Sequence, residues 1–101
     1  MRQVYVVSER TYKKAYHIDP EAVEGIIKVF DDYHKVVMYI RNRIREDHEW
    51  LDTSGKDLTR WHKCQSNPDR FEDGLFIKSI EYDTDNYYES KSYRFRSYDV
   101  E

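Results

Sequence analysis

Apolar residues recur along the chain in two rhythms, and each rhythm predicts a different kind of element. Residues 3–9 carry β-branched and aromatic side chains without a breaker, which predicts a strand. A second strand is predicted at 75–82, after an Asp-Gly turn, and a third at 93–96, where apolar and basic residues alternate. Residues 10–18 are more polar and suit a loop that leads into an edge strand.

The segment from 19 to 48 allows two interpretations. An Asp-Pro-Glu start at 19–21, followed by apolar residues at three- and four-residue steps through 44, suits one long helix. Against this, Gly25 precedes a run of β-branched residues, and two aspartates at 31–32 supply a second helix start. We prefer a turn at 19–24, a strand at 25–30 and a helix from about 32 to 48, with the long helix as the alternative.

The remaining elements complete a fold class. The preferred helix carries one apolar stripe, formed by Tyr33, Val36, Val37, Ile40 and Ile44. Residues 54–57 have the form of a capping box and predict a short helix at 56–64, followed by a loop at 65–69. The pattern predicts a single α+β domain: a small, mostly antiparallel sheet of three to four strands, with one main helix packed on one face and a short second helix.

Composition adds a charged surface and an aromatic core to this picture. The chain has 101 residues, of which 37% are charged and 39% hydrophobic, and ten of the hydrophobic ones are tyrosines. The net charge of −3 does not favour a general nucleic-acid binder. Cys64 is the only cysteine, so an internal disulfide is excluded. The chain shows no secretory signal and no apolar run of bilayer length, which predicts a cytoplasmic protein of a bacterium or an infected cell without a membrane partner.

Three segments resemble a group of small uncharacterised bacterial and phage proteins. They are Val-Tyr-Val-Val at 4–7, the segment 26–40, which begins Ile-Ile-Lys-Val-Phe-Asp-Asp, and the segment 73–83, Asp-Gly-Leu-Phe-Ile-Lys-Ser-Ile-Glu-Tyr-Asp. Members open with a Val-Tyr-Val strand, continue with an Ile-Gly-Val-Phe-Ser-Ser strand-to-helix turn and close with a Phe-x-Ile strand. Lys28 departs from the usual glycine. The resemblance implies an origin in a phage or mobile element, supports a strand at 25–30 and brings no catalytic residues.

The acidic C-terminal third contains the strongest candidate for a binding surface. Tyrosines and carboxylates are interleaved there, and tyrosine offers a large, rigid contact area with a polar tip. The predicted partner-binding residues are Tyr82, Asp83, Asp85, Tyr87, Tyr88, Glu89, Tyr93 and Tyr98. The alternative is that about half of these rings belong to the core and the acids only keep a hairpin soluble.

This surface predicts a non-enzymatic binding protein without a cofactor or metal. Carboxylates spaced between rings can occupy a partner's phosphate-binding groove, as DNA-mimicking inhibitors do. The expected partner is a host protein, such as a nucleic-acid-processing defence enzyme inhibited in the manner of an anti-CRISPR protein, rather than nucleic acid itself. The same surface would also serve a homodimer that forms through an edge strand.

Two other function classes stay open. In the first, Asp69, Glu89 and Lys91 follow the acid and acid-x-lysine layout of Mg²⁺-dependent nucleases, in which the acids hold the metal and the lysine positions water. In the second, arginines form a basic patch for nucleic acid. Its members are Arg41, Arg43 and Arg45 on the helix, with Arg94 and Arg96 on the last strand.

Two shorter patterns favour ordinary surface positions over chemistry. His48 is followed four residues later by Asp52, where a zinc-protease helix has a second histidine. His62 and Cys64 offer two metal ligands, whereas a structural zinc site uses four. We therefore expect no metal or thiol chemistry at either place.

Overall fold

The computed structural model describes residues 2–64 and 71–100. Within them, five antiparallel strands and one helix follow the order β1 (Arg2–Ala15), β2 (Glu21–Phe30), α1 (Tyr33–Thr53), β3 (Trp61–Lys63), β4 (Ile77–Asp83) and β5 (Tyr87–Val100). The strands form a single sheet in the order β2-β1-β5-β4-β3. The α+β class, the antiparallel sheet and the main helix on one face are thus confirmed, while the sheet has more strands than the three to four expected.

The two central strands are longer than their sequences indicated. β1 and β5 have 14 residues each and pair along their whole length, from Arg2 opposite Val100 to Ala15 opposite Tyr87. The predicted loop at 10–18 is wrong as far as Ala15. Those residues are polar on both faces, but their backbone groups pair with β5 and, through Lys13, with β2, so hydrogen bonding decides their conformation.

The strand interpretation of 25–30 is confirmed, and the long-helix alternative is wrong. β2 starts at Glu21, inside the predicted turn, and pairs with β1 as far as Phe30. The register slips by one residue opposite Val7 and Ser8, which is a β-bulge. α1 begins after Asp32, whose carboxylate accepts a hydrogen bond from the backbone N–H of His34 at 2.7 Å.

The predicted short helix at 56–64 does not form. α1 ends near Ser54, and Gly55 follows with φ of 69°, the left-handed conformation that commonly closes a helix. The Asp57 carboxylate accepts a hydrogen bond from the Thr59 backbone N–H at 3.0 Å, but only a turn follows this cap. The chain then pairs with β4 as strand β3, because Trp61 lies opposite Tyr82 and can pack against it. The predicted loop at 65–69 lies outside the described residues.

The core lies between α1 and one face of the sheet. The fully buried Val36 and Ile40 of α1 pack against Val7 of β1 and Phe95 of β5. β1 and β5 extend roughly 46 Å at the usual rise per strand residue, whereas 21 helical residues extend roughly 31 Å. The helix therefore leaves part of the sheet face beside its C-terminal half uncovered.

Candidate functional site

The sheet has two faces with different surroundings, and they are named here the helix side and the open face. Odd-numbered residues of β1 and β5 lie on the helix side, where Val7, Tyr93 and Phe95 are buried beneath α1. Even-numbered residues of both strands lie on the open face, where Tyr98 is 49% exposed. Every candidate residue on these strands therefore belongs to one face or the other.

A charged residue is buried on the helix side, in line with the apolar stripe of α1. Asp47 is only 8% exposed. Its carboxylate accepts hydrogen bonds from the Tyr93 hydroxyl at 2.6 Å and the Ser79 hydroxyl at 2.8 Å. The Lys91 ammonium donates a third bond at 3.1 Å. Because three donors from two strands meet one carboxylate, Asp47 fixes α1 against β4 and β5.

The network extends from Asp47 to the neighbouring strand. Lys91 also lies 3.3 Å from a carboxylate oxygen of Glu9, and Glu9 accepts a hydrogen bond from Arg43 at 2.9 Å. Burial, together with the hydrogen bond to Asp47, raises the pKa of Tyr93 well above its ordinary 10.0. Tyr93 thus stays a neutral donor, and the Lys91 ammonium stays paired, so neither supplies a free nucleophile or base.

An open cleft of about 320 Å³ lies beside this network, where the helix leaves the sheet uncovered. Its apolar walls are Trp50 of α1, Trp61 of β3 and Ile80 of β4. The polar part of the lining consists of three carboxylates, one ammonium and two hydroxyl residues: Glu46, Asp47, Glu89, Lys91, Thr11 and Ser90. The sequence contains two tryptophans, and both lie at this one place.

Aromatic rings continue from the cleft along the end of the sheet. Trp50 and Trp61 meet edge to face, with ring centroids 5.5 Å apart and planes at 85°. Trp61 lies 5.1 Å from Tyr82, which lies 5.9 Å from Tyr87. The Lys56 ammonium lies 4.9 Å from the centroid of the Trp50 ring, a cation–π distance. The rings of this cleft are thus able to attract a positive group.

Carboxylates outnumber cations around the cleft. Four carboxylates, those of Glu9, Glu46, Asp47 and Glu89, face three cations, Arg43, Lys91 and the Lys56 that lies on the Trp50 ring. Glu46 is mostly exposed, and its carboxylate lies 3.8 Å from the Arg43 guanidinium, so this long contact is weak. Glu89 accepts a bond from the Tyr87 hydroxyl at 3.2 Å and has no cationic partner among the described residues. The cleft therefore offers carboxylate oxygens to an incoming donor.

The structure brings together only some of the residues that the sequence predicted for partner binding. Tyr82, Tyr87 and Glu89 lie on the helix side, at or next to the cleft. Tyr93 is 0% exposed and belongs to the core. Its ring therefore presents no surface to a partner in this fold.

The other predicted residues lie away from the cleft. Asp83 and Asp85 are exposed where β4 turns into β5. Tyr88 is on the open face, where its hydroxyl donates to Glu81 at 2.8 Å. Tyr98 is also on the open face, at the far end of β5. The predicted set thus divides between the two sides of the sheet and the turn that joins them.

The nuclease layout is only partly visible. Glu89 and Lys91 share the helix side of β5, but Lys91 is paired with Asp47 and Glu9. Asp69 lies outside the described residues. Within residues 2–64 and 71–100, no group of three or more His, Cys, Asp or Glu side chains is placed to hold a metal ion.

The arginines of the predicted basic patch do not lie on one surface. Arg43 lies on the helix side with Glu9, while Arg94 lies on the open face with Glu24. Arg41 and Arg45 are exposed on α1. The arginines of the helix and of the last strand therefore lie on opposite sides of the molecule.

The shorter patterns occupy structural positions. The His48 imidazole lies 3.0 Å from the carbonyl oxygen of Ser79, and Asp52 pairs with Lys63 at 2.6 Å. Cys64 is half-buried, and this burial, followed by the nearby Glu81, raises the pKa of its thiol. A thiol with a raised pKa is a poor nucleophile at neutral pH.

Sequence reasoning missed Asp47 and the tryptophans as parts of one site. The signal for Asp47 was its position in the helical repeat, since it follows Val36, Ile40 and Ile44 on the same stripe of α1. A carboxylate on a buried stripe needs partners and so marks a network. The meeting of Trp50 with Trp61 had no such signal, because it depends on β3 pairing with β4.

Comparison with known proteins assigns this site to no family. No protein-family model, no curated protein and no solved structure matches the chain. In the part of the chain that the structure describes, no helix combines the length and the apolar character needed to cross a membrane. The resemblance to small phage proteins accordingly stays a prediction, and the chemistry of the cleft has to carry the functional argument.

Proposed function

We propose that this chain is a binding protein rather than an enzyme, and that its cleft receives a basic segment of a protein partner. The observation that carries the proposal is the pairing of tryptophan walls with carboxylates in one open space of about 320 Å³. Aromatic faces attract cations, and unpaired carboxylate oxygens accept hydrogen bonds from them. An arginine or lysine side chain satisfies both kinds of group at once.

The location of the cleft supports a role in binding rather than in packing. Trp50 is 42% exposed, a high value for the largest apolar side chain. Exposed tryptophan is frequent among the residues that dominate the energy of protein interfaces. Glu89 and the rings of Tyr82 and Tyr87 extend the same surface, so part of the tyrosine–carboxylate pattern belongs to it.

A host protein that handles nucleic acid is the partner class that we propose for this cleft. Such proteins carry arginines and lysines at the positions where they bind phosphate. An acidic, aromatic cleft competes for the same cations. On this proposal the chain would inhibit or modulate a defence nuclease by occupying its basic residues.

Tryptophan fluorescence tests the cleft directly, because both tryptophans of the chain line it. We expect a deca-arginine peptide to change the emission in a saturable way and a deca-glutamate peptide to leave it unchanged. Replacing two carboxylates in the variant Glu46→Gln/Glu89→Gln should weaken the arginine peptide's binding about tenfold, roughly the 1.4 kcal/mol expected when charged hydrogen bonds are lost.

A matched variant separates the cleft from the net charge. Asp83→Asn/Asp85→Asn removes two carboxylates from the exposed β4–β5 turn and changes the net charge equally. Binding should stay within about twofold of wild type in this variant, since its charges are exposed and screened. Equal losses of peptide affinity in the two double variants would mean that binding depends on the overall charge, which would contradict a binding site in the cleft.

The host-directed part of the proposal has its own test. Wild type and Glu46→Gln/Glu89→Gln are used in parallel to capture proteins from nuclease-treated bacterial lysate. A nucleic-acid-processing protein retained by wild type and lost by the variant is the expected result. Retention of the same proteins by both would separate partner capture from the cleft and overturn this part.

A further inference from the structure

The open face of the sheet differs from the cleft in its chemistry. No helix covers it among the described residues, and two shallow grooves of about 300 and 270 Å³ run along it. The first groove is lined by Arg10, Tyr12 and Lys78, and the second by Arg94, Arg96 and Tyr98, among others. Both grooves therefore combine cations with aromatic rings.

The charge balance of this face is opposite to that of the whole chain. Of the charged strand residues that the register places on the open face, six are basic and three are acidic. The basic ones are Arg2, Arg10, Lys14, Lys78, Arg94 and Arg96, and the acidic ones are Glu24, Glu81 and Asp83. A net charge of +3 on one face of a chain whose total is −3 indicates an anionic ligand.

An arginine–aromatic stack fixes the middle of the face. The guanidinium of Arg10 lies 4.8 Å from the centroid of the Phe76 ring, and that of Arg94 lies 4.3 Å from it. Arg94 is held by two hydrogen bonds to Glu24, at 2.5 and 2.6 Å. Arg10 and Arg96 have no carboxylate partner within the described residues. These two guanidinium groups are thus free to bind an anion without breaking an ion pair.

Small polar side chains form the floor between these cations. Ser8 lies under the second groove, and Ser90 and Ser92 lie under the first. Their short side chains leave depth at the centre of the sheet, and their hydroxyls are hydrogen-bond donors. Phosphate oxygens accept from both hydroxyl and guanidinium groups, which makes this floor suitable for a phosphate chain.

We propose that the open face binds single-stranded nucleic acid, with Arg10 and Arg96 on phosphates and Tyr98 stacked on a base. From Tyr88 to Tyr98 the grooves follow β5 for roughly 33 Å, which spans several nucleotides. A sheet of this width, roughly 19 Å across five strands, is too broad for the major groove of about 12 Å. Aromatic rings on a flat basic surface instead suit unpaired bases. This inference is independent of the cleft.

Fluorescence anisotropy with a labelled twelve-residue oligothymidine tests the proposal. We expect saturable binding at low salt that weakens as salt rises. Arg10→Ala/Arg96→Ala should weaken it about tenfold, and the slope of log affinity against log salt should become shallower by about 1.4, because each lost single-strand phosphate contact contributes about 0.7. Both residues lack ion-pair partners in the described part of the chain, so the variant loses only the contacts of Arg10 with the Tyr12 and Phe76 rings. It is expected to fold, which a thermal melt checks.

A matched variant shows whether the effect belongs to this face. Arg41→Ala/Arg45→Ala removes two exposed arginines from α1, on the other side of the sheet, and should change the affinity by less than twofold. Tyr98→Ala should weaken binding about fivefold with an unchanged salt slope, whereas Tyr16→Ala, in the β1–β2 turn, should not.

Three results would overturn the proposal. They are no binding of the oligothymidine at low salt, equal losses in the two arginine variants, and binding of a twelve-base-pair duplex as tight as that of the single strand. Each is distinguishable from a failure of the cleft, which is measured separately by tryptophan emission with a cationic peptide.

Discussion

Two clusters of the same composition lie on opposite sides of the sheet. Each joins a carboxylate to a lysine and a tyrosine: the buried triad is Asp47, Lys91 and Tyr93, and the surface triad is Glu81, Lys78 and Tyr88. The ammonium–carboxylate distance is 3.1 Å in both. The tyrosine hydroxyl lies 2.6 Å from the carboxylate in the buried triad and 2.8 Å in the surface triad. The two triads thus share these two contacts, while in the surface triad the Lys78 ammonium also donates a hydrogen bond to the Tyr88 hydroxyl at 2.6 Å.

The two triads differ in burial, and the difference indicates different roles. Asp47 has almost no contact with solvent and gains a further donor from Ser79. In the surface triad, the side chain of Lys78 is 44% exposed, so water is available to replace its partners. A buried charge that loses its partners is left without water, whereas an exposed one is rehydrated. The buried triad should thus hold the fold, and the surface triad should be able to exchange partners with a ligand.

The largest difference between the two triads is expected when the carboxylate of each is removed. Asp47→Ala should lower the free energy of unfolding by about 3–5 kcal/mol, because it leaves the Tyr93 and Ser79 hydroxyls and Lys91 without their acceptor. Glu81→Ala should lower it by less than about 1 kcal/mol. Denaturant unfolding of both variants beside wild type measures the difference. Losses within about 1 kcal/mol of each other would mean that burial does not decide the strength of these triads.

A smaller effect is expected from removing only the hydroxyls. Tyr93→Phe should cost about 1–2 kcal/mol, since the ring still packs but Asp47, which is only 8% exposed, loses a donor. Tyr88→Phe should cost less than about 0.5 kcal/mol, because water can take the place of its hydroxyl. Equal unfolding midpoints for the two variants would contradict the comparison.

Alkaline pH sharpens the prediction for Tyr93. Burial and the hydrogen bond to Asp47 raise the pKa of Tyr93 above the 10.0 of the unfolded chain. The stabilisation that the neutral Tyr93 hydroxyl gives the fold is therefore fully present below pH 10 and is lost as pH rises above it. The stability advantage of wild type over Tyr93→Phe should therefore be constant near neutrality and shrink above about pH 10. Unfolding curves at pH 7 and at pH 10.5 measure it, and an advantage that does not shrink would show that Tyr93 has an ordinary pKa.

Much of the fold was predictable because local pattern and tertiary structure agree. The β-branched run at 25–30 and the aspartate at 32 predict a strand and a helix start, and both form. Residues 10–15 and 61–63 lack such patterns and are strands because a neighbouring strand supplies their hydrogen bonds. Their conformation depends on residues far along the chain, which no local window contains.

The site was predictable only as far as periodicity reaches. In β5, the alternation of side chains places Tyr87 and Tyr93 on one face and Tyr88 and Tyr98 on the other, so a single tyrosine surface conflicts with a strand of that length. Which of these tyrosines is buried depends on the face against which α1 packs. Because α1 covers the face that carries Tyr93, Tyr93 lies in the core, whereas Tyr98 on the opposite face is exposed.

The smallest expected effect is a shift in the pKa of Glu81. Measuring this pKa shows whether the surface triad persists in solution. Partial burial acts to raise the pKa of Glu81, but hydrogen bonds from Tyr88 and Lys78 lower it below its ordinary 4.5. A carboxyl with a lowered pKa stabilises the fold above the pKa of the unfolded chain and loses this contribution as pH falls through the folded value. The loss should therefore come below about pH 4.5 and stay small, since the groups are partly exposed.

Carboxyl titration by nuclear magnetic resonance gives the pKa of Glu81 directly. We expect it below 4.5 in wild type, and closer to 4.5 in Lys78→Met and in Tyr88→Phe, because each variant removes one donor. A value that neither variant moves would mean that the three side chains seldom meet in solution. The contrast between the faces would then lie between a buried triad and separate surface charges, and Lys78 would be a free cation beside Arg10 on the open face.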